Sequence, residues 1–102
     1  MVYVIASIEL VDGRREEFLD EFRKIVPLVR QEHGCRQYVP VVDIPTNIAA
    51  QREAGDNVVT VIEHWDTLET LEAHLVAPHM IEYRAKVKEM VVQASISVCR
   101  PA

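Results

Sequence analysis

Two apolar segments rich in β-branched residues, Val2–Leu10 and Val58–Trp65, constrain most strongly what this 102-residue chain can fold into. Nearly every position in both segments is apolar, which is typical of strands that are buried on both faces. Two further strands are predicted, over residues 35–42 and over Val91–Cys99, where apolar and polar residues alternate. The remaining segments must pack against these four strands.

The first helix is predicted over residues 14–33, where apolar residues recur at helical spacing. Gly34 follows as a stop signal, and His33 is expected to interact with the last carbonyls of the helix. Pro27 inside this segment removes one backbone donor, so a kink is predicted near residues 23–26.

The second helix is predicted over residues 67–76, with Asp66 as its N-cap and Glu69 completing a capping-box pattern. A break at Ala77-Pro78 separates it from a further helical segment over residues 79–89.

The order strand, helix, strand, strand, helix, strand is the split βαβ pattern of ferredoxin-like α+β domains. It predicts one domain over residues 1–102, with a four-stranded antiparallel sheet and the helices on one face. Two helices cover only one face, whereas the first and third strands are apolar on both. The uncovered apolar face predicts a homodimer joined sheet to sheet.

The connection over residues 43–57 is predicted to be a long loop, with a helical turn possible at residues 48–53. A connection of this length in a small domain often acts as a lid or a contact arm. It could therefore reshape or cover the mouth of a pocket.

Composition excludes several function classes. The net charge of −5 and the pI near 5.3 argue against sequence-independent nucleic-acid binding. No apolar run approaches the roughly 18 residues that span a membrane, and the N-terminal residues lack the basic region of a signal peptide, so a cytoplasmic protein is expected. Cys35 and Cys99 are too few for a disulfide framework or a metal site, and both are expected to be small apolar residues in strands.

Most of the residues that could carry chemistry lie between positions 63 and 83, where a strand passes into a helix. This stretch holds the only tryptophan, three of the four histidines and a tyrosine. Such strand-to-helix junctions commonly form pockets. No metal site is predicted, because His74 and His79 are five positions apart and no His-Glu-x-x-His pattern occurs.

Four short motifs together resemble the antibiotic biosynthesis monooxygenase (ABM) family, and in particular its small quinol monooxygenase members. The motifs are Gly34-Cys35, Glu63-His64-Trp65, Ala73-His74-Leu75, and Pro78-His79-Met80 with Tyr83. The resemblance covers nearly the whole chain except the loop at 43–57. It implies a dimeric α+β barrel that oxidises quinol-like, phenolic or polyketide-like compounds with molecular oxygen and needs no flavin, metal or haem.

The resemblance implies that Trp65 lines a pocket between the sheet and the helices. Glu63 shares the face of Trp65, and Tyr3, Ile5 and Ser7 are expected to line the same pocket from the first strand. Trp65 could instead be a core residue at a strand end, and Glu63 could be either a buried acid or a rim residue.

His74 is the first candidate for a catalytic base that takes the phenolic proton, because it lies on the inner stripe of the second helix. His79 is a second candidate, and Tyr83 could donate a hydroxyl hydrogen to the substrate. The alternatives are a core histidine bonded to a backbone carbonyl and a core tyrosine. His64 has the opposite parity to Trp65 and is expected on the dimer side.

Two departures from related enzymes bear on the substrate. Haem-degrading relatives have an asparagine where this chain has Ser7, and polyketide-oxidising relatives have one where this chain has Val61. Three functions therefore stay open: a cofactor-independent monooxygenase, an isomerase of a small hydroxy-ketone, and a non-catalytic small-ligand binding or dimerisation module. Haem degradation is a weaker fourth.

Overall fold

The computed structural model describes residues 1–102. Its strands are β1 (Val2–Leu10), β2 (Cys35–Val41), β3 (Val58–Trp65) and β4 (Val91–Cys99), and its helices are α1 (Arg15–Arg30), α2 (Leu68–Leu75) and α3 (Pro78–Val87). A short 3-10 turn, Lys88–Met90, joins α3 to β4. None of the helices combines the length and the apolar character that a membrane-spanning segment needs.

The four strands form one antiparallel sheet in the order β2-β3-β1-β4. The helices pack on one face of it. On the central strands, every second residue points to this face, and most of these residues are buried under the helices. This arrangement confirms the ferredoxin-like α+β fold predicted from the element order.

The two faces of β1 differ sharply in burial. Val4, Ala6 and Leu10 face the helices and are buried, whereas Tyr3 and Ile5 are exposed on the other side. We call that other side the open face. It also carries Ile62, which pairs with Ile5 across the two central strands.

The end of α1 and the turn after it differ from the prediction. The helix ends at Arg30, three residues early, and His33 lies in the following turn without a hydrogen bond to the helix carbonyls, so that expectation was wrong. Gly34 has a φ of +81°, and a Cβ there would lie 2.6 Å from Cγ2 of Thr70 on α2. A side chain is excluded at this position both by backbone conformation and by contact.

The N-cap of α2 is Thr67 and not Asp66. The Thr67 hydroxyl accepts from the amide of Thr70 at 3.2 Å, and the Thr70 hydroxyl accepts from the amide of Thr67 at 3.2 Å. Asp66 instead pairs with Arg36 at 2.6 Å. The prediction was wrong by one residue because a threonine at N3 satisfies the cap amide as a glutamate would.

The loop at 42–57 is held by its own polar groups. The Asp43 carboxylate accepts from the amides of Ala54 and Gly55, at 2.6 and 3.0 Å. A single turn closes between Gln51 and Ile48, and none of these residues lines the main cavity. The loop therefore does not cover the cavity mouth.

Candidate active site

A cavity of about 480 Å³ lies between the helical face of the sheet and the helices α2 and α3. Of the 19 residues that line it, 13 are hydrophobic, including Ala6, Ile8 and Met80. Its size is within the range of small-molecule sites. One wall is β4, whose apolar residues Ile96 and Ala94 have no helix over them, so the cavity opens along this strand.

Few polar side chains reach into this apolar space. The ones that line it deep in the structure are Tyr38 on β2, Glu63 on β3, His74 on α2 and Tyr83 on α3. All four are buried. Convergent polar groups in an apolar cleft are the usual composition of a ligand site.

Trp65 is fully buried behind this wall and does not line the cavity itself. Its indole nitrogen donates to Oε1 of Glu63 at 2.9 Å, and its ring lies 4.6 Å from the ring of His74, centre to centre. The tryptophan therefore holds two cavity residues in place, whereas the sequence predicted direct contact with substrate.

Glu63 is an acid in an apolar environment. Its burial raises the pKa to about 7 from an ordinary 4.5, and the indole donor of Trp65 only partly offsets this. The negative charge of Glu32 adds to the rise. Near neutral pH the carboxyl group is therefore present in both its protonated and its ionised form.

His74 faces the sheet and is buried. Its Nδ1 lies 2.9 Å from Oε2 of Glu32, and its Nε2 lies 4.0 Å from Oε1 of Glu63. Burial lowers the pKa of the ring below 6.5, although the hydrogen bond to Glu32 opposes the shift. The imidazole is therefore neutral at pH 7 and able to accept a proton.

Glu32 is a site residue that the sequence analysis missed. It follows α1, and its Oε2 also lies 2.7 Å from Nε2 of His79, so one carboxylate oxygen contacts two imidazoles. Glu32 is far from both histidines in sequence, since it precedes His74 by 42 positions and His79 by 47. The one available signal in the sequence was an acid at the end of the predicted helix, directly before the turn to β2.

His79 does not line the main cavity. It opens onto a separate, smaller crevice between α1 and α3, beside Lys24 and Glu82. The structure therefore brings His79 to Glu32 and not to the space that His74 faces.

Two tyrosines complete the cavity. Tyr83 packs edge-on against Phe22 with ring centres 5.7 Å apart, and Tyr38 lies edge-on to His74 at 5.3 Å. Burial raises the pKa of both phenols, so both keep their protons at neutral pH. Tyr83 was predicted at this site, and Tyr38 was not.

The placement predicted for Tyr3, Ile5 and Ser7 was wrong. All three lie on the open face, where Tyr3 stacks on His64 with ring centres 4.3 Å apart. The antiparallel register pairs Val4 with Glu63, so the even residues of β1 share the face of Glu63. Because β1 is apolar on both faces, alternation alone could not decide between them.

His64 is on the open face as its parity predicted, and its buried Nε2 has no hydrogen-bond partner. No group of three or more histidine, cysteine, aspartate or glutamate side chains is arranged to hold a metal ion. Both cysteines are free thiols.

Comparison with known proteins adds to this geometry. The family described as antibiotic biosynthesis monooxygenase matches residues 1–86. The chain is 42% identical to the "Probable quinol monooxygenase YgiN" of Escherichia coli K12, and the match covers 99% of this chain and 98% of the relative. The protein of the same name from Shigella flexneri gives the same figures.

Solved structures show the same fold. PA3566 from Pseudomonas aeruginosa matches with a TM-score of 0.80 at 24% identity, over 99% of this chain and 94% of the other. Rv0793 from Mycobacterium tuberculosis matches with the same four values, 0.80, 24%, 99% and 94%.

Proposed function

This chain belongs to the antibiotic biosynthesis monooxygenase family, and from that premise we propose that it is a cofactor-independent monooxygenase acting on a small quinol. A related phenolic or polyketide-like compound is the wider substrate class. The resemblance seen in the sequence motifs is thus confirmed at the level of the family. The relative named as a quinol monooxygenase supports the substrate class, since the identity extends over nearly the whole chain.

The observation that carries the proposal is the pair formed by His74 and Glu63 at the cavity wall. Nε2 of His74 and Oε1 of Glu63 are 4.0 Å apart. A substrate hydroxyl oxygen can therefore lie at hydrogen-bond distance, about 2.8 Å, from both. Neutral His74 takes the phenolic proton, and protonated Glu63 donates a hydrogen bond to the phenolate that results.

Deprotonation matters because a phenolate gives up an electron to oxygen far more readily than a phenol does. In the overall reaction the quinol and one O₂ give a hydroxyquinone and one water. One oxygen atom enters the ring, and the other leaves with two hydrogens. The protein binds the ring, removes the proton and stabilises the anion.

Tyr83 and Tyr38 are proposed to orient the ring. Both keep their hydroxyl hydrogens at neutral pH and border the cavity beside the His74–Glu63 pair. A neutral hydroxyl can donate to a substrate oxygen without competing for its proton.

The test is oxygen consumption with a panel of hydroquinones and naphthohydroquinones, corrected for autoxidation. We expect uptake with at least one compound and a loss of about 100-fold or more in His74→Ala. His33→Ala is the matched control, because His33 is exposed and does not line the cavity. An absence of uptake above autoxidation across the panel contradicts the proposal.

A second function is supported by the same pair of groups. Two proton carriers 4.0 Å apart, His74 and Glu63, suit an isomerase that moves a proton between adjacent carbons of a small hydroxy-ketone. Turnover of such a compound without oxygen favours this function, and dependence of all turnover on oxygen favours the monooxygenase.

We also propose a homodimer joined through the open face and a cytoplasmic location. Tyr3, Ile5 and Ile62 are exposed there by 38, 52 and 38%. A contiguous apolar face of this kind usually marks a partner surface. Two free thiols are in keeping with a reducing compartment.

A further inference from the structure

Resting on the proposed function, we propose that Glu32 is a positioning residue that fixes His74 in the tautomer with an unprotonated Nε2 toward the cavity. His79 holds Glu32 in turn, so that the three side chains act as one unit, His79–Glu32–His74. His79 is then not a catalytic residue, although the sequence analysis had made it a candidate.

The contact between Glu32 and His74 sets the tautomer. Oε2 of Glu32 lies 2.9 Å from Nδ1 of His74, and a carboxylate only accepts hydrogen bonds. Nδ1 therefore carries the hydrogen of the neutral ring, and Nε2 keeps its lone pair. A carboxylate that orients a catalytic imidazole in this way is known to determine which nitrogen can act as the base.

The opposite tautomer has no comparable support. It would place the hydrogen on Nε2, and Oε1 of Glu63 lies 4.0 Å from that nitrogen, beyond hydrogen-bond distance. It would also turn the lone pair of Nδ1 toward the charged Glu32 oxygen. Both changes are unfavourable in a buried site.

His79 explains how Glu32 keeps its position. Its Nε2 donates to the same Oε2 at 2.7 Å, so two N–H groups from two helices converge on one oxygen. Glu32 itself follows α1 and is largely buried. A carboxylate that accepts two such bonds is held in one orientation.

Charged and titratable groups face the His79–Glu32–His74 unit from β2, β3, α1 and α3. Glu63 from β3 and Tyr38 from β2 face His74, and Arg84 of α3 acts on it at longer range. His79 faces Lys24 and Glu21 of α1, and Glu82 and Lys86 of its own helix, across the small crevice. The crevice gives His79 contact with solvent, whereas His74 has almost none.

The tautomer can be measured without any substrate, by ¹⁵N NMR of histidine-labelled protein. We expect one buried neutral histidine, assigned by its loss in His74→Ala, with hydrogen on Nδ1 and none on Nε2. In Glu32→Gln the side-chain amide can donate to Nδ1, so hydrogen moves to Nε2. A resting His74 with its hydrogen on Nε2 overturns the proposal.

Activity provides the second measurement. Glu32→Gln should lower kcat by about 100-fold or more while KM changes much less, since binding groups remain. His79→Gln keeps an N–H donor and should retain more activity than His79→Leu, which has none. Glu72→Gln, an exposed acid on α2, is the matched control and should be unchanged.

The outcomes separate this proposal from the proposed function. If wild-type protein consumes no oxygen but shows the Nδ1–H tautomer, the monooxygenase fails and the positioning role of Glu32 stands. If wild type is active and a folded Glu32→Gln has wild-type kcat, the positioning role fails alone. If Glu32→Gln does not fold, the two His79 variants decide. Equal kcat values in His79→Leu and His79→Gln, together with an unchanged NMR spectrum of His74, contradict the proposal that the three side chains act as one unit.

Discussion

At the scale of single residues, the buried acid Glu63 makes the stability of the fold depend on pH. Between pH 4.5 and about 7 the unfolded chain releases this proton while the folded chain retains it. The folded state then binds more protons, so stability falls as the pH rises through that window. The full shift, from 4.5 to about 7, corresponds to roughly 3 to 4 kcal/mol, at about 1.4 kcal/mol per pKa unit.

The first prediction is that Glu63→Gln gains stability relative to wild type as the pH rises. Glutamine keeps an oxygen for the Trp65 indole and never ionises, so the gain should be near zero at pH 4.5 and up to roughly 3 to 4 kcal/mol at pH 8. Urea unfolding at both pH values measures it. A difference that does not change with pH contradicts the shifted acid.

The second prediction concerns the pH profile of kcat/KM for oxygen uptake. The lowered pKa of His74 keeps the base neutral below pH 6.5, so the acid limb should lie below 6.5. The alkaline limb should lie near pH 7, where Glu63 ionises and repels the phenolate. Glu63→Gln should lose the alkaline limb and keep the acid one. An alkaline limb that is unchanged in this variant would mean that Glu63 takes no part in the reaction.

The sequence predicted correctly which way a side chain faces where the periodicity of a single helix or strand determines it. His74 is placed by helical periodicity alone, and Glu63 and Trp65 share a face because strands alternate. Glu32 could not be found, because its contact with His74 forms only once α1 and α2 are packed. Tyr3 and Ser7 were misplaced because the register of β1 against β3 is a tertiary property.

At the scale of elements, the turn before β2 packs against α2 about one helical turn before His74. Gly34 and Thr70 meet there, four residues before His74 on the same helix. The turn glycine was predictable as a helix stop, but the contact with Thr70 was not, because it joins two elements far apart in sequence.

The third prediction compares alanine at two glycines. Gly34→Ala and Gly13→Ala both force alanine into a positive φ, +81° and +79°, but only at position 34 does the new Cβ meet another side chain. Both should lose about 1 kcal/mol to backbone strain, and Gly34→Ala should lose a further 1–3 kcal/mol of the overpacking kind. Denaturant midpoints measure the difference.

Equal losses in the two variants would mean that α2 can move away from Gly34 without cost. In that event Thr70 does not fix the position of the helix. A larger loss in Gly34→Ala should also lower oxygen uptake, since the displaced helix carries His74.

At the scale of the whole molecule, one face of the sheet borders the cavity and the other is the open face, through which we propose that two copies associate. The sequence predicted one covered and one uncovered face from the number of helices. Two helices cannot cover both faces of a sheet whose central strands are apolar on both sides. The structure leaves Ile5 and Ile62 paired and exposed at the centre of the open face. The cavity could not be foreseen in the same way, because its volume depends on how far α2 and α3 stand from β4.

The fourth prediction tests the dimer through that pair. Ile5→Asp places a charge at the centre of the open face and should give monomers at micromolar concentration, where wild type sediments as a dimer. Ile81→Asp, on the outer side of α3, is the matched control, because Ile81 is exposed by 56% and Ile5 by 52%. Circular dichroism should show the same fold in both variants. A wild-type protein that sediments as a monomer at all concentrations contradicts the sheet-to-sheet dimer, and dissociation by Ile81→Asp instead of Ile5→Asp moves the interface to the helical layer.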